Sequence, residues 1–591
     1  MEELAYPFDS KQILKKKKAI KRQLLADESG RIKKRIAILG GSTTAEIKNI
    51  LEIFLLNYGI DPCFYECEYG QYWQEVMFGS ELYEFSPDIC FVHTTSRNIS
   101  TWPSLSNSKD QIDAMVESQF SHFMPMWEKI TRELKCPIIQ NNFERPLFRL
   151  LGNKDISDYH GRTNYIFRLN QKLYEYAQNN DGFFINDIDY LSAFYGLGKW
   201  SDPFYWHMYK YALAMPAIPD FAFNVANIIK AIYGKNKKAL AIDLDNTLWG
   251  GVVGDDGVCG ISVGQETSVG QAYSEFQSYL KELKQLGIIL NIISKNEYEN
   301  AISGLNHPDG LLTPDDFVAI KANWEPKSGN LYTIANELAL LPESFVFLDD
   351  NPAEQEIIRQ QIPGVSVPKM KQVEYYITEV DRAGYFEATV ISEDDTKRAE
   401  MYKENAQRAQ TQATFVNYHD YLLSLEMKAI IEKFEPLYMA RIAQLTNKSN
   451  QFNLTTKRYT QEEIESCAAD ENTITLYGKL SDKFGDNGVV SVVIGHIDNE
   501  SLHIDLWIMS CRVLKRDMEF AMMDKLVKMC KRHGIKTIIG YYYPTTKNRM
   551  VKEFYAGQGF TKLSENEFGN AVWYFEISED YKNKQDVINV N

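Results

Sequence analysis

The eight cysteines include no C-x-x-C pair. A zinc site or a redox dithiol needs that kind of spacing, so neither is expected, and scattered thiols suit a reducing cytoplasm. No apolar run approaches the roughly 20 residues of a membrane-spanning helix. The start, Met1-Glu-Glu-Leu-Ala-Tyr6, lacks the basic-then-apolar pattern of a secretory signal, so a cytoplasmic location is expected. Basic charge is also short. Lys and Arg number 64 against 80 Asp and Glu, for a net charge of −16. A general nucleic-acid binder needs a basic surface to release counterions, so that class is excluded.

What is present is a long soluble chain. Its 591 residues exceed one core and predict roughly three to four domains. The 44% hydrophobic and 24% charged content fits ordinary globular domains.

The organising stretch is Lys238-Ala-Leu-Ala-Ile-Asp243-Leu-Asp245-Asn-Thr-Leu-Trp249-Gly-Gly251. It reads as a buried parallel strand that ends in two carboxylates and a glycine turn. Asp243 and Asp245 are two apart, so an extended backbone sends both to one face. Ligands of open α/β sheets bind at such strand ends. Two acids there repel unless a cation lies between them, and close oxygen ligands suit Mg²⁺.

Three further pieces follow in order: Gly287-Ile-Ile-Leu-Asn-Ile-Ile-Ser294-Lys295-Asn296, then Trp324-Glu-Pro-Lys327, then Ser344-Phe-Val-Phe-Leu-Asp349-Asp350-Asn351. Acids, a hydroxyl, a lysine and acids again, each beside a strand end, resemble the haloacid dehalogenase (HAD) superfamily. The wording of the pieces resembles the FkbH-like phosphatase/acyltransferases. That resemblance continues through Gln444-Leu-Thr-Asn-Lys-Ser-Asn-Gln-Phe-Asn-Leu-Thr455.

The expected architecture is a multidomain α/β chain. An SGNH-hydrolase-like α/β domain spans residues 1–234, and a HAD-like Rossmannoid phosphatase domain spans 235–390. A helical linker covers 391–430, and a GNAT-like α+β acyltransferase domain covers 431–591.

In the first domain, Lys11 to Arg22 reads as a solvated basic helix. Arg35-Ile-Ala-Ile-Leu-Gly40-Gly41-Ser42 reads as a strand and glycine turn, and Pro62–Tyr65, Ile89–Val92 and Pro137–Ile139 as further strands. A serine after the first strand with Asp and His late in the domain resembles the SGNH hydrolases, with Ser42, Asp202 and His207 as candidates. Two features depart from that family: Gly41 stands where an Asp is usual, and Asp202 and His207 are five apart instead of three. A relic that binds a partner or holds the next domain is the competing reading. The aromatic cluster Trp200, Phe204, Tyr205 and Trp206 is read as core.

In the central domain, Gly250 to Gly264 is a short excursion, too small for a large lid, so the site is expected to be open. Glu266 to Leu286 reads as a helix with an apolar face at Tyr273, Phe276, Leu280 and Leu283. Residue chemistry makes Asp243 a nucleophile and Asp245 a general acid/base. Asp243, Asp245 through its carbonyl, and Asp349 or Asp350 would hold Mg²⁺. Ser294 and Lys327 would hold phosphoryl oxygens, and Asn296 and Asn351 would add site hydrogen bonds.

Beyond it, Glu393 to Ala413 reads as a connecting helix. Strands at Gly488–Gly495, Ser501–Ser510 and Lys536–Tyr542, with a helix at Met518–His533, resemble the GNAT fold. The loop after that fold's central strand binds pantetheine and pyrophosphate through backbone N–H groups. Here it reads Arg512-Val-Leu-Lys515-Arg516-Asp517 without glycines, so Lys515 and Arg516 are candidate phosphate contacts instead. Cys511 reads either as an acyl relay or as a buried strand cysteine.

The FkbH-like resemblance implies a Mg²⁺-dependent enzyme. It would dephosphorylate a phosphorylated acid such as 1,3-bisphosphoglycerate and load the acyl group onto an acyl carrier protein for polyketide assembly. A plain phosphatase on a small metabolite and a non-catalytic scaffold are the alternatives. A carrier is typically acidic, and Lys515, Arg516, Lys531, Arg532 and Lys536 are the basic residues available to it.

Overall fold

The computed structural model describes residues 1–27, 30–391, 397–412, 414–449, 451–545 and 547–591, without the side chains of residues 399, 406, 409, 410, 448 and 511. Two compact units result, Met1–Ile232 and Tyr233–Asn591.

The first unit is built on five strands: β1 (Ile32–Gly40), β2 (Ile60–Glu66), β3 (Ile89–His93), β4 (Ile138–Asn141) and β5 (Phe183–Asn186). All pair in parallel, in the order β2-β1-β3-β4-β5. Parallel pairing needs crossover helices, which cover both faces and bury whole strands. β3 is accordingly buried at every residue. The basic N-terminal segment is helical over Ser10–Ala26, but it is not merely a solvated face. Ile13, Ile20 and Leu24 are buried, and Lys17 and Lys21 pair with Glu46 and Glu52 on the neighbouring helix.

The second unit holds two sheets. The smaller has β6 (Ala239–Ile242), β7 (Ile289–Ser294), β8 (Ala319–Ala322) and β9 (Phe345–Leu348), all parallel, in the order β8-β7-β6-β9. Alternate residues of β6 enter different cores. Leu240 and Ile242 face the helix Ser268–Gln285, while Ala239 and Ala241 face the helix Lys327–Glu337. This two-sided burial explains why β6 reads as an unbroken apolar run. The helix Ser268–Gln285 is capped by Thr267, whose hydroxyl accepts from Gly270 N. It buries Tyr273, Phe276, Leu280 and Leu283, each contributing about 1.5–3 kcal/mol. Gly287 closes it at φ +84°, a conformation glycine adopts without a steric cost.

The larger sheet has β10 (Met427–Glu432), β11 (Thr473–Asp482), β12 (Gly485–Asp498), β13 (Ser501–Met509), β14 (Thr537–Tyr542), β15 (Thr561–Glu565), β16 (Ala571–Glu576) and β17 (Ile588–Val590). Its order is β15-β16-β14-β13-β12-β11-β10-β17. The β13–β14 pair is parallel within an otherwise largely antiparallel meander. That is the mixed α+β sheet expected of a GNAT-like part. The helix Met518–Arg532 buries Met518, Met522, Leu526 and Cys530 against it.

A helix over Arg398–Gln412 connects the two sheets; the expected start at Glu393 lies outside the described residues. Arg408 ties this helix to the larger sheet, with Nε and Nη2 donating to the two oxygens of Asp482 at 2.8 and 2.7 Å. Among the described residues, no helix is long and apolar enough to cross a membrane.

Candidate active site

The carboxyl ends of β6, β7 and β9 lie side by side, so the residues that follow them converge. β6 ends at Ile242, and Asp243 to Trp249 form a turn in which Asn246 takes φ +55°. Asp243 N donates to Leu348 O at 2.9 Å, which fixes the nucleophile candidate against the end of β9. One oxygen from each of Asp243, Asp349 and Asp350 lies within 4.8 Å of the others. Lys327 opens its helix just beyond β8. Its Nζ lies 3.0 Å from Asp243 Oδ1 and 2.6 Å from Asp349 Oδ2. Ser294, the last residue of β7, is buried.

Three carboxylates and one ammonium in a mostly buried space leave excess negative charge. Burial, and then the charge of Asp243, push the Asp349 carboxyl up to about 7. The same causes in the same order raise Asp350. Burial by itself would lower the Lys327 ammonium, but the Asp243 and Asp349 carboxylates outweigh it and raise it.

The side chain of Asp245 points away from the three-acid cluster and enters a hydrogen-bond cage. Its Oδ1 accepts from Trp249 Nε1 and Val253 N, both at 3.0 Å, and its Oδ2 accepts from Asn296 Nδ2 at 2.8 Å. Burial raises this carboxyl despite the cage, and Asp243 adds to the shift. A carboxyl whose hold on its proton is strengthened by burial suits a proton donor. Trp249 is 1% exposed, so it packs as expected, but its indole also donates to the acid four residues before it. Asn296→Ala frees one oxygen of Asp245 and should lower kcat about 10²-fold with little change in KM. Steady-state kinetics at fixed pH measures it.

Sequence reasoning missed three supports. Thr247 Oγ1 accepts from Asp350 N at 3.2 Å, Gln355 Nε2 donates to Asp349 O at 2.6 Å, and Lys295 pairs with Glu354 at 2.6 Å. The first and third join residues 103 and 59 apart, so no local pattern announces them, whereas Gln355 reaches back to a carbonyl six residues before it. Asn351 is placed differently from expectation. Its side-chain oxygen accepts from Ala353 N at 2.9 Å and caps the helix Pro352–Gln361, while its N–H donates to Asp349 Oδ1 at 2.9 Å. It positions Asp349 through its backbone N–H.

Two candidates in the larger sheet's loop separate. Lys515 is exposed. Arg516 is 7% exposed and is held by Asp482 at 3.2 Å, Asn405 at 2.6 Å and the Arg512 carbonyl at 2.8 Å. A guanidinium locked in a buried pair cannot meet a phosphate or a carrier from outside, which corrects its assignment as a phosphate contact. Arg516→Glu would set an acid beside Asp482 and cost about 3–5 kcal/mol. Urea denaturation should show that loss, whereas Lys515→Glu should leave stability unchanged within about 0.5 kcal/mol. Of the other basic candidates, Lys531 donates to Glu579 O at 2.8 Å, Lys536 pairs with Glu500 at 2.7 Å, and Arg532 is exposed. The Cys511 side chain lies outside the described residues.

In the first unit no hydrogen bond joins the SGNH-like candidates among the described residues, although Thr43, beside Ser42, bonds the Tyr209 and Lys210 carbonyls at the end of the helix that carries His207. Ser42 is buried, and its Oγ has no partner among the described residues. Asp202 spends its carboxylate on Phe204 N at 2.8 Å, capping the helix Pro203–Tyr209, and His207 on that helix is exposed. The aromatic cluster splits. Trp200 is core, while Phe204 is 59% exposed and Trp206 lies 4.8 Å under the Arg97 guanidinium.

The family model described as FkbH, N-terminal domain, matches residues 35–230. The N-terminal part of the protein BF1531 from Bacteroides fragilis, containing a phosphatase domain and complexed with Mg, is 30% identical. It aligns over 63% of this chain and 99% of that chain with a TM-score of 0.59. A GNAT-family acetyltransferase from Streptococcus pneumoniae is 16% identical over 26% of this chain and 100% of its own, with a TM-score of 0.22. The ribosomal-protein-S18-alanine N-acetyltransferase from Escherichia coli is 11% identical over 27% and 99%, with a TM-score of 0.21. The C-terminal sheet is characterised by its own strand order, with β13 and β14 paired in parallel at its centre. No curated protein matches the chain.

Proposed function

Since the chain belongs to the FkbH-like family, we propose that it is a Mg²⁺-dependent phosphatase joined to an acyl-transfer part, acting on a phosphorylated acid of the 1,3-bisphosphoglycerate kind and loading its acyl group onto the thiol of an acyl carrier protein. We place the phosphatase in residues 235–390 and the transfer part in 431–591, with 391–430 as the connection and 1–234 as an SGNH-like domain whose Ser42, Asp202 and His207 share no hydrogen bond among the described residues. The observation that carries the reading is the convergence of Asp243, Asp349, Asp350 and Lys327 beside a separately caged Asp245.

Close, mostly buried carboxylate oxygens are the hard donor set that Mg²⁺ takes. The Asp243, Asp349 and Asp350 side chains with the Asp245 carbonyl would hold the ion, which when bound offsets the repulsion between nucleophile and phosphate. The remaining steps belong to the chain. An Asp243 oxygen attacks phosphorus, the bond to the ester oxygen breaks, and that oxygen takes the proton of Asp245. Asp245 then removes a proton from water, whose oxygen attacks phosphorus and releases phosphate from Asp243. Ser294 and Lys327 orient the phosphoryl oxygens. The raised Asp245 carboxyl suits the first of these proton transfers.

In the transfer part, a carrier thiol attacks the carbonyl of an acyl phosphate, and the carbon–oxygen bond to phosphate breaks. A doubly phosphorylated acid thus yields two phosphates per acyl group loaded, one by thiol displacement and one by hydrolysis.

The experiment follows phosphate release from a panel of phosphorylated acids with Mg²⁺ or EDTA, with intact-mass analysis of protein and added carrier. Two phosphates per acyl-carrier adduct support the whole reading. Mg²⁺-dependent release without an adduct leaves a phosphatase. Absence of release from every acid overturns it.

A further inference from the structure

β13 and β14 pair for only three steps, from Ser501–Thr537 to His503–Ile539, and then diverge. The divergence begins at a bulge. Ile504 faces Gly495 and Leu506 faces Ile494, so Asp505 is skipped in the register with β12, although its carboxylate lies 2.7 Å from His496 Nδ1 on that strand. Bulges bend a strand and end its pairing. Beyond this one, β13 and β14 turn backbone N–H and C=O groups toward a gap. Such edges accept an extended amide chain as an added strand. Pantetheine, with two amides in a flexible arm, is a chain of that kind.

The chain itself fills this gap. Asn453 bridges Ile508 in the antiparallel sense. Leu454 N donates to Trp507 O at 3.2 Å, Met509 N to Phe452 O at 3.1 Å, and Tyr543 N to Leu454 O at 2.9 Å. The segment therefore bonds β13 through the Phe452 carbonyl and the Leu454 N–H, and the residue that follows β14 through the Leu454 carbonyl. Phe452, Asn453, Leu454 and Thr455 are all 5% exposed or less.

The segment is anchored at both ends. Fully buried Asn548 donates to Asn453 O and to Tyr543 O, each at 2.9 Å. Thr455 Oγ1 donates to the carbonyl of the bulge residue Asp505 at 2.6 Å, and Lys457 Nζ reaches its carboxylate at 2.5 Å. On the other side, the Phe452 ring packs edge-on against Phe554 at 5.1 Å. These are the last residues of the Gln444–Thr455 motif, to which the phosphatase chemistry gives no role.

We propose that Phe452–Thr455 is a resident segment that takes the place of pantetheine between β13 and β14, so that this part of the chain excludes coenzyme A thioesters as acyl donors. The inference concerns the donor and holds independently of the phosphatase chemistry. An acyl phosphate donor needs no such gap. A carrier arm meets the same closed edge and must present its thiol from outside it.

The test uses the full chain. Amide hydrogen exchange is followed at Leu454, Met509 and Tyr543, and coenzyme A and acetyl-coenzyme A are titrated by calorimetry. The expected result is exchange at least about 100-fold slower than at exposed loop amides, and a dissociation constant weaker than about 1 mM for both probes. Exchange at loop rates, or tighter binding of either probe, overturns the proposal. Asn548→Ala should speed exchange at Leu454 and Tyr543 at least about 10-fold while phosphate release stays unchanged. If that variant does not fold, the wild-type exchange and titrations decide alone.

Discussion

Asp243→Asn abolishes phosphate release, a loss of about 10⁴-fold or more, because an amide is a poor nucleophile toward phosphorus and no neighbour can replace it. Asp349 and Asp350 are both held near their own partners, Lys327 and Thr247. The same substitution stabilises the metal-free protein by about 1 kcal/mol, since it removes one of three charges in a confined space. Thermal unfolding in EDTA should show a higher Tm than wild type, and Mg²⁺ should raise the Tm of the variant less than that of wild type. Wild-type stability should also depend on pH. The Asp349 carboxyl, near 3.9 when unfolded, is raised to about 7 in the fold. Between those values the folded chain keeps a proton that the unfolded chain has released. Stability of the metal-free protein therefore falls as pH rises from about 4 to 7. The affinity for Mg²⁺ rises across the same window, because the ion needs the carboxylate. A Tm series in EDTA and in Mg²⁺ from pH 5 to 8 checks both signs.

Lys327→Met has the second large effect, and it acts on stability and rate together. Its ammonium is the cation that holds the buried acids Asp243 and Asp349 at 3.0 and 2.6 Å. Removing one partner of such a cluster leaves uncompensated buried charge, a loss of about 3–5 kcal/mol. Mg²⁺ restores part of this, since a second cation then sits among the same acids. The rate does not recover with it. The charge that Lys327 offers to the phosphoryl oxygens is gone, and kcat stays about 10²–10³-fold below wild type even at saturating Mg²⁺. Urea denaturation with and without Mg²⁺, set beside single-turnover kinetics, separates the two losses. Equal recovery of stability and rate would assign Lys327 to packing alone.

Much of the phosphatase site is legible in the sequence because its chemistry sits at strand ends. An apolar run that stops at Asp243, another at Ser294 and a third at Asp349 each mark a β-strand and its carboxyl terminus at once. Parallel pairing then leaves little choice about where those ends meet. The supports around them are not legible in that way. Thr247 against Asp350 spans 103 residues, and Asn296 against Asp245 spans 51. Asn351 reads as a substrate contact by its place beside two acids, but the proline after it starts a helix that takes the side chain as a cap.

The C-terminal part shows the same division more sharply. By itself the sequence determined three of the eight strands, β12, β13 and β14, the helix beginning at Met518 and the absence of glycines after β13, because periodicity and turn residues are local. It also determined the net charge and the acids that can take a divalent cation. Only the tertiary structure decided that Arg516 is buried against Asp482, that Asp202 caps the helix Pro203–Tyr209, and that Phe452–Thr455 lies in the gap between β13 and β14. The first and the last depend on where residues distant in sequence come to rest, and burial and pairing are properties of that arrangement, which no residue carries alone.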